Sequence, residues 1–318
     1  MLSKIFTICM AIYYLIYPYV APSTQSSIKA LHEDNIKLTF VALADTQVSD
    51  YLLQREPVMH GISEDLCNSS IDFDALVVAG DVSENGLECE YEVVENYLRN
   101  TPVRNFIMAT GNHDIRLRDY SQVVNRFTGF ANRLNAYKNS DLEIDSLHYL
   151  YEINDYTFIV LGSDKQMFEE AYISDSQLSW LDSSLEAATA DGKPVFVVVH
   201  QAIKDTHGLP DTWSPYRFNG GSVGKQSDEI KAILNKYENV ILLSGHMHTG
   251  FGEFTYEKIG NFHSINMPSA CANNGNGTYN NAGIGYVAEV YENKIVFRAR
   301  DFDDGYFLPD FDISISIE

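Results

Sequence analysis

The sequence predicts an α/β protein built as a layered β-sandwich of two mixed sheets flanked by helices. Short runs rich in Val, Ile, Leu and Phe alternate along the chain with longer amphipathic stretches, which is typical of βα units. The runs lack strict polar alternation, which indicates strands buried on both faces. Near the C-terminus two strand-like segments flank Glu292-Asn293 and predict a hairpin, so we expect a second, more antiparallel sheet.

The individual elements follow from these patterns in chain order. A capping-box pattern at Ser174 and Gln177 starts one helix, which would place Leu178, Leu181 and Leu185 on one face. The predicted strands are 36–44, 73–79, 105–109, 157–161, 195–199 and 240–243, followed by the hairpin of 286–290 and 294–300. The predicted helices are 51–66, 87–99, 119–137, 176–189 and 226–237.

Length and charge limit the class of protein. The 318 residues carry a formal charge of −22, from 44 acidic and 22 basic side chains. Such a surface repels phosphate backbones and anionic lipid, so we expect neither a nucleic acid nor a membrane surface as the principal partner. We expect a monomer with one domain at 36–304 and a C-terminal tail at 305–318.

The N-terminus resembles a targeting segment. Residues 1–23 combine Lys4 with an apolar run from Ile5 to Tyr17, then Pro18 and the small residues Ala21 and Ser23. The run is shorter than the ~20 residues of a membrane-spanning helix, which favours a cleaved signal peptide and a secreted or extracytoplasmic protein. An uncleaved anchor, and with it a membrane location at the cell surface, stays open. Cys67 and Cys89 would then either pair or remain free thiols.

Polar segments with metal-ligand chemistry follow five of the predicted strands. Ligands of open α/β sheets bind beyond the carboxyl ends of the strands, so these segments could converge on one place. Taken singly, each has an ordinary interpretation as a turn or a buried histidine. Their joint occurrence at successive strand ends indicates a metal site. The segments are Asp45-Thr46-Gln47, Gly80-Asp81, Gly111-Asn112-His113-Asp114, His200-Gln201 and Gly245-His246-Met247-His248.

These five segments, in this order, resemble the blocks of the calcineurin-like metallophosphoesterases, whose patterns are D-x-H, G-D, G-N-H-D/E, a lone His and G-H-x-H. The resemblance covers about residues 36–300 and implies the metallophosphoesterase fold, with two divalent or trivalent ions, Mn, Fe or Zn, about 3.5–4 Å apart. It also implies that Asp81 bridges the ions. Asp45, Gln47 and His248 would complete one metal site, and Asn112, His200 and His246 the other.

The resemblance leaves His113 as a proton donor to the leaving group. A carboxylate must orient such a histidine, and we favour Glu84 over the adjacent Asp114. Gln47 departs from the family pattern, which has histidine there. A neutral carbonyl oxygen in place of an imidazole should weaken the first site, tilt it toward harder ions, or leave a position for water.

Three further expectations concern the surroundings of the site. If His246 and His248 lie in an extended segment, their side chains point the same way and reach two neighbouring ions, while Met247 packs into the core. The loop 201–225, with His207, Trp213, Tyr216 and Asn219, would face the substrate. Arg116 and Arg118 would either bind a phosphate oxygen or lie on the surface.

The sequence thus predicts a secreted metal-dependent phosphoesterase. It would hydrolyse a phosphomonoester or small phosphodiester by attack of a metal-bound hydroxide, with a small phosphate ester as substrate. A non-catalytic binding module with a decayed metal site is the alternative that Gln47 raises, and retention of His113 argues against it. An extracellular nuclease would share the chemistry but would need a basic groove.

Overall fold

Buried apolar strands form two sheets that pack against each other. The computed structural model describes residues 26–30, 35–209 and 221–317. Its strands are β1 (Leu38–Leu43), β2 (Phe73–Ala79), β3 (Val103–Ala109), β4 (Tyr149–Ile153), β5 (Tyr156–Val160), β6 (Val195–Val198), β7 (Val240–Ser244), β8 (Tyr256–Ile259), β9 (Phe262–Asn266), β10 (Ile284–Val290), β11 (Lys294–Asp301), β12 (Tyr306–Phe307) and β13 (Ile313–Ser316). Its α-helices are α1 (Arg55–Cys67), α2 (Glu88–Leu98), α3 (Asn112–Ile115), α4 (Tyr120–Tyr137), α5 (Asp175–Ala188) and α6 (Ser227–Leu234).

The strand order confirms the predicted sandwich of two mixed sheets. The first sheet runs β12-β11-β10-β1-β2-β3, and β13 pairs with a different part of β11. The second runs β4-β5-β6-β7-β9-β8. Parallel pairs form one edge of the first sheet, β1-β2-β3, and the middle of the second, β5-β6-β7-β9. Antiparallel strands continue the first sheet beyond β1 and flank the parallel block of the second on both sides.

Phenylalanine rings fill the space between the sheets. Phe40 of β1 lies edge-on to Phe158 of β5, with 5.5 Å between ring centroids, and to Phe196 of β6, with 5.0 Å. All three side chains are fully buried. Burying one such ring stabilises the fold by about 1.5–3 kcal/mol relative to exposing it. The two sheets are therefore held together at their centre by direct ring contacts.

Helix α5 follows the predicted pattern on the outer face of the second sheet. Its Leu181 and Leu185 are fully buried in a cluster that includes Val195 and Val197 of β6. The Ser174 side chain accepts a hydrogen bond from the Gln177 backbone N–H at 3.3 Å, so the N-terminal cap forms. The buried leucines and the N-terminal cap therefore fix the position of the helix.

The C-terminal hairpin differs from its predicted place. Strands β10 and β11 extend the first sheet, because β10 pairs antiparallel with β1 from Leu38 opposite Val290 to Ala42 opposite Tyr286. The expectation that this hairpin starts a second sheet is wrong. The sequence predicts a C-terminal tail at 305–318. In the structure this segment contributes β12 and β13, which both pair with β11 at the edge of the first sheet.

Some predictions fall outside the residues that the structure describes. The predicted signal peptide at 1–23 is one, and Trp213, Tyr216 and Asn219 of the 201–225 loop are others. Within the described ranges, no helix combines the length and apolar character needed to cross a bilayer. Cys67, Cys89 and Cys271 are free thiols in this part of the chain.

Candidate metal centre

The five polar segments come together where the parallel strands of both sheets end. The Asp45 N–H donates to the Gly80 carbonyl at 3.1 Å, and the Gly245 N–H donates to the His200 carbonyl at 2.9 Å. Across the sandwich, the His246 N–H donates to Asp45 Oδ2 at 2.9 Å. Segments more than 200 residues apart in sequence therefore form one connected site, as the strand-end rule predicts.

Two buried carboxylates lie at the centre of this site. Asp45 is 0 % exposed and Asp81 is 1 % exposed. Asp81 Oδ2 lies 3.1 Å from His200 Nε2, and Asp45 Oδ1 lies 3.1 Å from His248 Nε2. In the described part of the chain, the ion-pair partners of both carboxylates are histidines rather than Lys or Arg. Buried charges need nearby positive charge, so this site favours a cation.

His200 occupies the position between the two sheets. Its Nδ1 lies 2.7 Å from the Ala79 carbonyl, which fixes the ring and leaves Nε2 facing the site. Burial alone would lower the pKa of His200, but the carboxylates of Asp81 and Asp45 outweigh it and raise the pKa to about 9. The electrostatics of the site thus hold positive charge at His200 Nε2.

The ligand atoms fit a divalent metal ion. Asp81, His200 and His246 each offer one, and these atoms all lie within 4.8 Å of one another. All three residues are buried. Burial first, and then the neighbouring His200, lower the pKa of His246, which keeps its imidazole in the neutral form that binds metals. A set of imidazole, carboxylate and amide oxygens suits Zn, Mn or Fe.

Asn112 joins this group from the first turn of the short helix α3. Its Oδ1 lies 3.2 Å from His200 Nε2. Its Nδ2 donates to Glu169 Oε2 at 2.8 Å, so the amide oxygen is the atom turned toward the histidines. Glu169 belongs to none of the five sequence blocks, and nothing in its local sequence marks it as a site residue.

Gln47 also reaches the central carboxylate, through the opposite end of its amide. Its Nε2 donates to Asp81 Oδ2 at 2.9 Å. The sequence instead predicts that the amide oxygen of Gln47 serves as a metal ligand. Since only one end of an amide can face a given atom, the Oε1 atom is turned away from Asp81 in this arrangement. Gln47 therefore lies in the predicted place with a different atom presented.

The backbone at the site is strained in a consistent way. Left-handed φ values occur at Asp45 (53°), Gln47 (40°), Asp81 (50°), His246 (72°) and His248 (47°). Residues other than Gly rarely adopt this backbone conformation, and those that do cluster at functional sites. The polar segments that contain these residues follow strand ends and turn sharply there, which points their side chains into the candidate site.

The His246–His248 segment is not extended, so the predicted reason for its spacing is wrong. Strand β7 ends at Ser244. The Met247 N–H donates to the Gly245 carbonyl at 2.8 Å, which closes a γ-turn around His246 with positive φ. The turn places the rings of His246 and His200 5.0 Å apart. Met247 is buried, as predicted.

His113 lies beside the central carboxylate with most of its side chain buried. Its Nε2 lies 4.0 Å from Asp81 Oδ2, and its backbone N–H donates to Asp81 Oδ1 at 2.8 Å. Its Nδ1 lies 3.2 Å from Glu84 Oε1. Burial lowers the pKa of His113, but Asp81 and Glu84 outweigh burial and Arg116, so the net shift is upward.

Glu84 contacts the His113 ring, whereas the contacts of Asp114 lie elsewhere. Burial raises the pKa of Glu84, but hydrogen bonds from His113 and Arg55 lower it overall, so Glu84 stays a carboxylate. Asp114 accepts from the Gly111 N–H at 2.9 Å and from the Ser83 N–H at 3.0 Å. Asp114 therefore clamps the two turns that carry Asp81 and Asn112, and Glu84 is the carboxylate at the histidine.

Two arginines border the site. Arg55, at the start of α1, donates to the Gln47 carbonyl at 2.7 Å and also to Glu84. Arg116 Nη1 donates to Glu169 Oε1 at 3.2 Å, so Arg116 is a site residue rather than a surface one. Arg118 instead donates to the Asn85 carbonyl at 3.1 Å. Arg55 could not be identified from the sequence, because an arginine at a helix start is ordinary.

His207 is the one residue of the four predicted for the 201–225 loop that the structure describes, and it does not face the candidate metal site. His207 is buried, and its Nε2 lies 2.9 Å from Ser264 Oγ on β9. Burial lowers the pKa of His207 to about 4, so this ring is a neutral packing residue. The segment after β9 adjoins the site, since Ser269 Oγ donates to the Asp45 carbonyl at 3.0 Å.

Known proteins share this sequence pattern and fold. A 3′,5′-cyclic-nucleotide phosphodiesterase of Nostoc sp. is 23 % identical over 205 residues, which cover 63 % of this chain and 64 % of the relative. A manganese-dependent ADP-ribose/CDP-alcohol diphosphatase of Arabidopsis thaliana is 31 % identical over 130 residues, which cover 41 % of this chain and 36 % of the relative. The chain thus spans less than two thirds of the length of either relative.

The fold is also that of a solved dimetal phosphatase from Danio rerio. The two structures superpose with a TM-score of 0.58 at 14 % identity, over 89 % of this chain and 100 % of the other. Residues 38–250 match the sequence profile of the calcineurin-like phosphoesterases, and this range contains all five polar segments. The chain therefore belongs to the calcineurin-like phosphoesterase family, as its motif blocks predict.

Proposed function

We propose that this protein is a metal-dependent hydrolase of small phosphate esters. One observation carries the proposal: His113 Nε2 lies 4.0 Å from Asp81 Oδ2, so an imidazole whose pKa is raised by neighbouring carboxylates lies beside the buried carboxylate of the candidate metal site. A scaffold that only binds metal has no need of this histidine. An acid at this distance can serve a leaving group that lies next to the metal centre.

The seven candidate ligands supply two sites that share Asp81. The first would comprise Asp45, Gln47, Asp81 and His248, and the second Asp81, Asn112, His200 and His246. When bound, divalent ions in such a pair polarise the phosphoryl oxygens and lower the pKa of water. For Gln47 to bind through oxygen, its amide must rotate by half a turn, which would break its present hydrogen bond to Asp81.

His113 provides the proton for the leaving alkoxide. Glu84 accepts from Nδ1 and thereby keeps the second proton of the imidazolium on Nε2, the atom that faces the site. Arg55 holds Glu84 in turn. After proton transfer, the neutral ring regains a proton from solvent, because its side chain remains 16 % exposed.

The substrate class follows from charge and from the relatives. The net charge of −22 disfavours a polyanionic nucleic acid, whereas a compact ester can bind through the metal centre alone. A cyclic nucleotide is the first substrate to test, since one relative acts on that class. We further propose a secreted or extracytoplasmic monomer, supported by the apolar N-terminal run with its small residues at 21 and 23.

The test is turnover by the purified protein reconstituted with Mn²⁺ or Zn²⁺. Substrates are p-nitrophenyl phosphate, its bis-ester and a 3′,5′-cyclic nucleotide. We expect His113→Ala to lower kcat/KM by about 10²–10⁴-fold while metal content stays unchanged. The loss should be larger for the cyclic nucleotide than for the nitrophenyl esters, because nitrophenolate leaves without a proton.

His60→Ala is the matched control. His60 is an exposed histidine of α1, paired with Glu64 at 3.6 Å, and its removal should leave turnover unchanged. Equal turnover of His113→Ala and wild type on every substrate would remove the acid role. Absence of turnover with any metal would favour the non-catalytic binding module, for which the contact between Gln47 Nε2 and Asp81 is the supporting observation.

A further inference from the structure

Glu169 connects two of the five polar segments and Arg116, although it lies outside all five segments. It belongs to the loop between β5 and α5, and its side chain is 15 % exposed. Its Oε2 accepts from Asn112 Nδ2 at 2.8 Å, and its Oε1 accepts from Arg116 Nη1 at 3.2 Å. Its backbone carbonyl accepts from Gln201 Nε2 at 3.0 Å, next to His200.

The contact with Asn112 decides which end of that amide faces the metal site. A carboxylate can only accept hydrogen bonds, so it draws the NH₂ group of Asn112 toward Glu169. The Oδ1 atom then has one direction left, toward His200 Nε2 at 3.2 Å. An amide presented the other way round would offer N–H groups to a cation, which repel it.

The contact with Arg116 fixes a positive charge on the side of the site where His113 lies. Arg116 Nη2 lies 2.9 Å from His113 Nδ1 and 3.8 Å from Glu84 Oε1. The bond to Glu169 fixes the Nη1 end of Arg116, and Glu84 Oε1 lies closer to His113 Nδ1, at 3.2 Å, than to Arg116 Nη2.

We propose that Glu169 is a positioning residue that fixes Asn112 Oδ1 as a ligand of the second metal site. The inference rests on the proposed function for its catalytic meaning, but its geometry concerns metal binding alone. Partners of this kind affect metal affinity or activity by about 10–100-fold when they are removed. Glu169 would therefore set the affinity of the second ion without touching it.

Titration of metal-free protein with Mn²⁺ alone tests this proposal. Isothermal calorimetry separates the binding of two equivalents, and no substrate is present. We expect Glu169→Gln to weaken one equivalent by about 10–100-fold and leave the other within about 2-fold. In that variant one amide end must face Asn112 and the other Arg116, and a terminal NH₂ conflicts with either donor. Glu169→Ala should give the same result.

Glu170→Gln is the matched control, because it removes the same charge from the neighbouring residue of the loop. The Glu170 carboxylate lies beside Gly224, where its Oε2 would be 3.0 Å from a Cβ on that glycine. Its affinities should equal those of the wild type. Unfolding of each metal-free variant by urea verifies that the loop change leaves the fold intact.

Asn112→Asp gives a second, sharper test. An aspartate presents oxygen in both directions, so its orientation no longer needs Glu169. We expect the Glu169→Gln penalty on Mn²⁺ affinity to disappear in the Asn112→Asp background. An undiminished penalty there, or Glu169→Gln and Glu169→Ala binding both equivalents like wild type, would overturn the proposal. Protein that binds two Mn²⁺ ions yet hydrolyses no ester would refute the proposed function and leave this inference standing.

Discussion

Both ends of the sandwich contain residues other than Gly with left-handed backbone conformations, but these residues differ in burial. At the end opposite the metal centre, Asn154 (φ 52°) and Asp155 (φ 64°) form the two-residue turn between β4 and β5. Both are exposed. Asn and Asp tolerate positive φ, and a hairpin of this length requires it at both positions.

At the metal centre the same conformation occurs in buried residues held by long-range contacts. Asp81 and His246 have φ values of 50° and 72° and are almost fully buried. The Gln47 N–H donates to the Asp81 carbonyl at 2.8 Å, and Asp45 Oδ2 accepts from the His246 N–H. Each such conformation costs about 1–3 kcal/mol, which only the surrounding structure can offset. The far turn is thus specified locally, and the site by tertiary structure.

The largest expected effect comes from making one substitution at both ends. Asp81→Asn and Asp155→Asn each replace a left-handed aspartate by a residue that also tolerates that backbone conformation. Asp81→Asn removes the carboxylate that we propose the two ions share, and we expect kcat/KM to fall by about 10³-fold or more, since metal ions supply several kcal/mol of charge stabilisation. Metal analysis should show less than two bound ions.

Asp155→Asn should change neither turnover nor metal content. Its side chain is 80 % exposed, and its ion-pair partner within the described residues is Lys193, at 3.5 Å. An active Asp81→Asn variant would mean that this carboxylate is not shared between metal ions. The comparison between the two ends would then lose its functional meaning.

The same contrast explains what the sequence could predict. The apolar runs located β2 at its observed bounds of 73–79, and the polar residues after five runs identified the converging segments. Strand ends are readable because burial on both faces leaves a continuous apolar pattern. The hairpin near the C-terminus could be predicted as well. Its pairing with β1 could not, because β1 lies some 250 residues away in the sequence.

Features that depend on tertiary contacts escaped the sequence. The γ-turn at His246 has no local signature, since Asp45 holds its backbone N–H from the other sheet. Glu169 lies in an ordinary loop, and its role follows only from its distance to Asn112. Gln47 was identified as the unusual residue of its block, but which end of its amide faces Asp81 is set by hydrogen bonding in the folded site.

A second pair of substitutions separates backbone strain from lack of space. Gly80 and Gly192 have similar φ values of 83° and 77°, so alanine is strained at both. A Cβ at Gly80 would lie 2.5 Å from the His200 Cβ, whereas a Cβ at Gly192 meets nothing within 4 Å. We expect Gly192→Ala to lower the free energy of unfolding by about 1–2 kcal/mol. Gly80→Ala should add about 1–3 kcal/mol of overpacking to that loss.

Urea unfolding of both variants measures the difference, with Mn²⁺ titration as a second readout. Gly80→Ala displaces His200 and should also weaken metal binding, while Gly192→Ala should not. Equal destabilisation by the two substitutions would show that the site can relax around an added methyl group. Tight tertiary control of the metal end would then be the wrong interpretation.

The pH dependence of stability should reverse when metal is removed. The folded-state pKa of His200, about 9, exceeds its ordinary value of 6.5. Its ion pairs therefore stabilise the metal-free protein fully below pH 6.5, and this contribution, up to about 3 kcal/mol, is lost as pH rises through 9. With saturating Mn²⁺ the sign changes, because a ligand histidine must be neutral and binding strengthens with pH.

Urea midpoints at pH 6.5 and pH 9, with EDTA or with Mn²⁺, provide the measurement. We expect the midpoint to fall with pH in EDTA, and the stabilisation by Mn²⁺ to grow. A midpoint in EDTA that is flat over this interval would show that His200 carries no proton in the metal-free site. The far end has no buried histidine–carboxylate pair among the described residues, so this slope belongs to the metal end.

The smallest effect should come from the far end itself. Lys37 Nζ lies 3.2 Å from Glu292 Oε2, with side chains 47 % and 85 % exposed. Such surface pairs contribute about 0–1 kcal/mol, so Lys37→Ala should barely move the urea midpoint, and 1 M salt should remove the difference. Mn²⁺ affinity and kcat/KM should equal those of the wild type. Strand β1 connects the two ends, because its first residue, Leu38, follows Lys37 and its last, Leu43, precedes Asp45 by two positions. A change in metal affinity would show that the two ends are coupled through this strand. The metal end would then depend on more than the contacts that converge there.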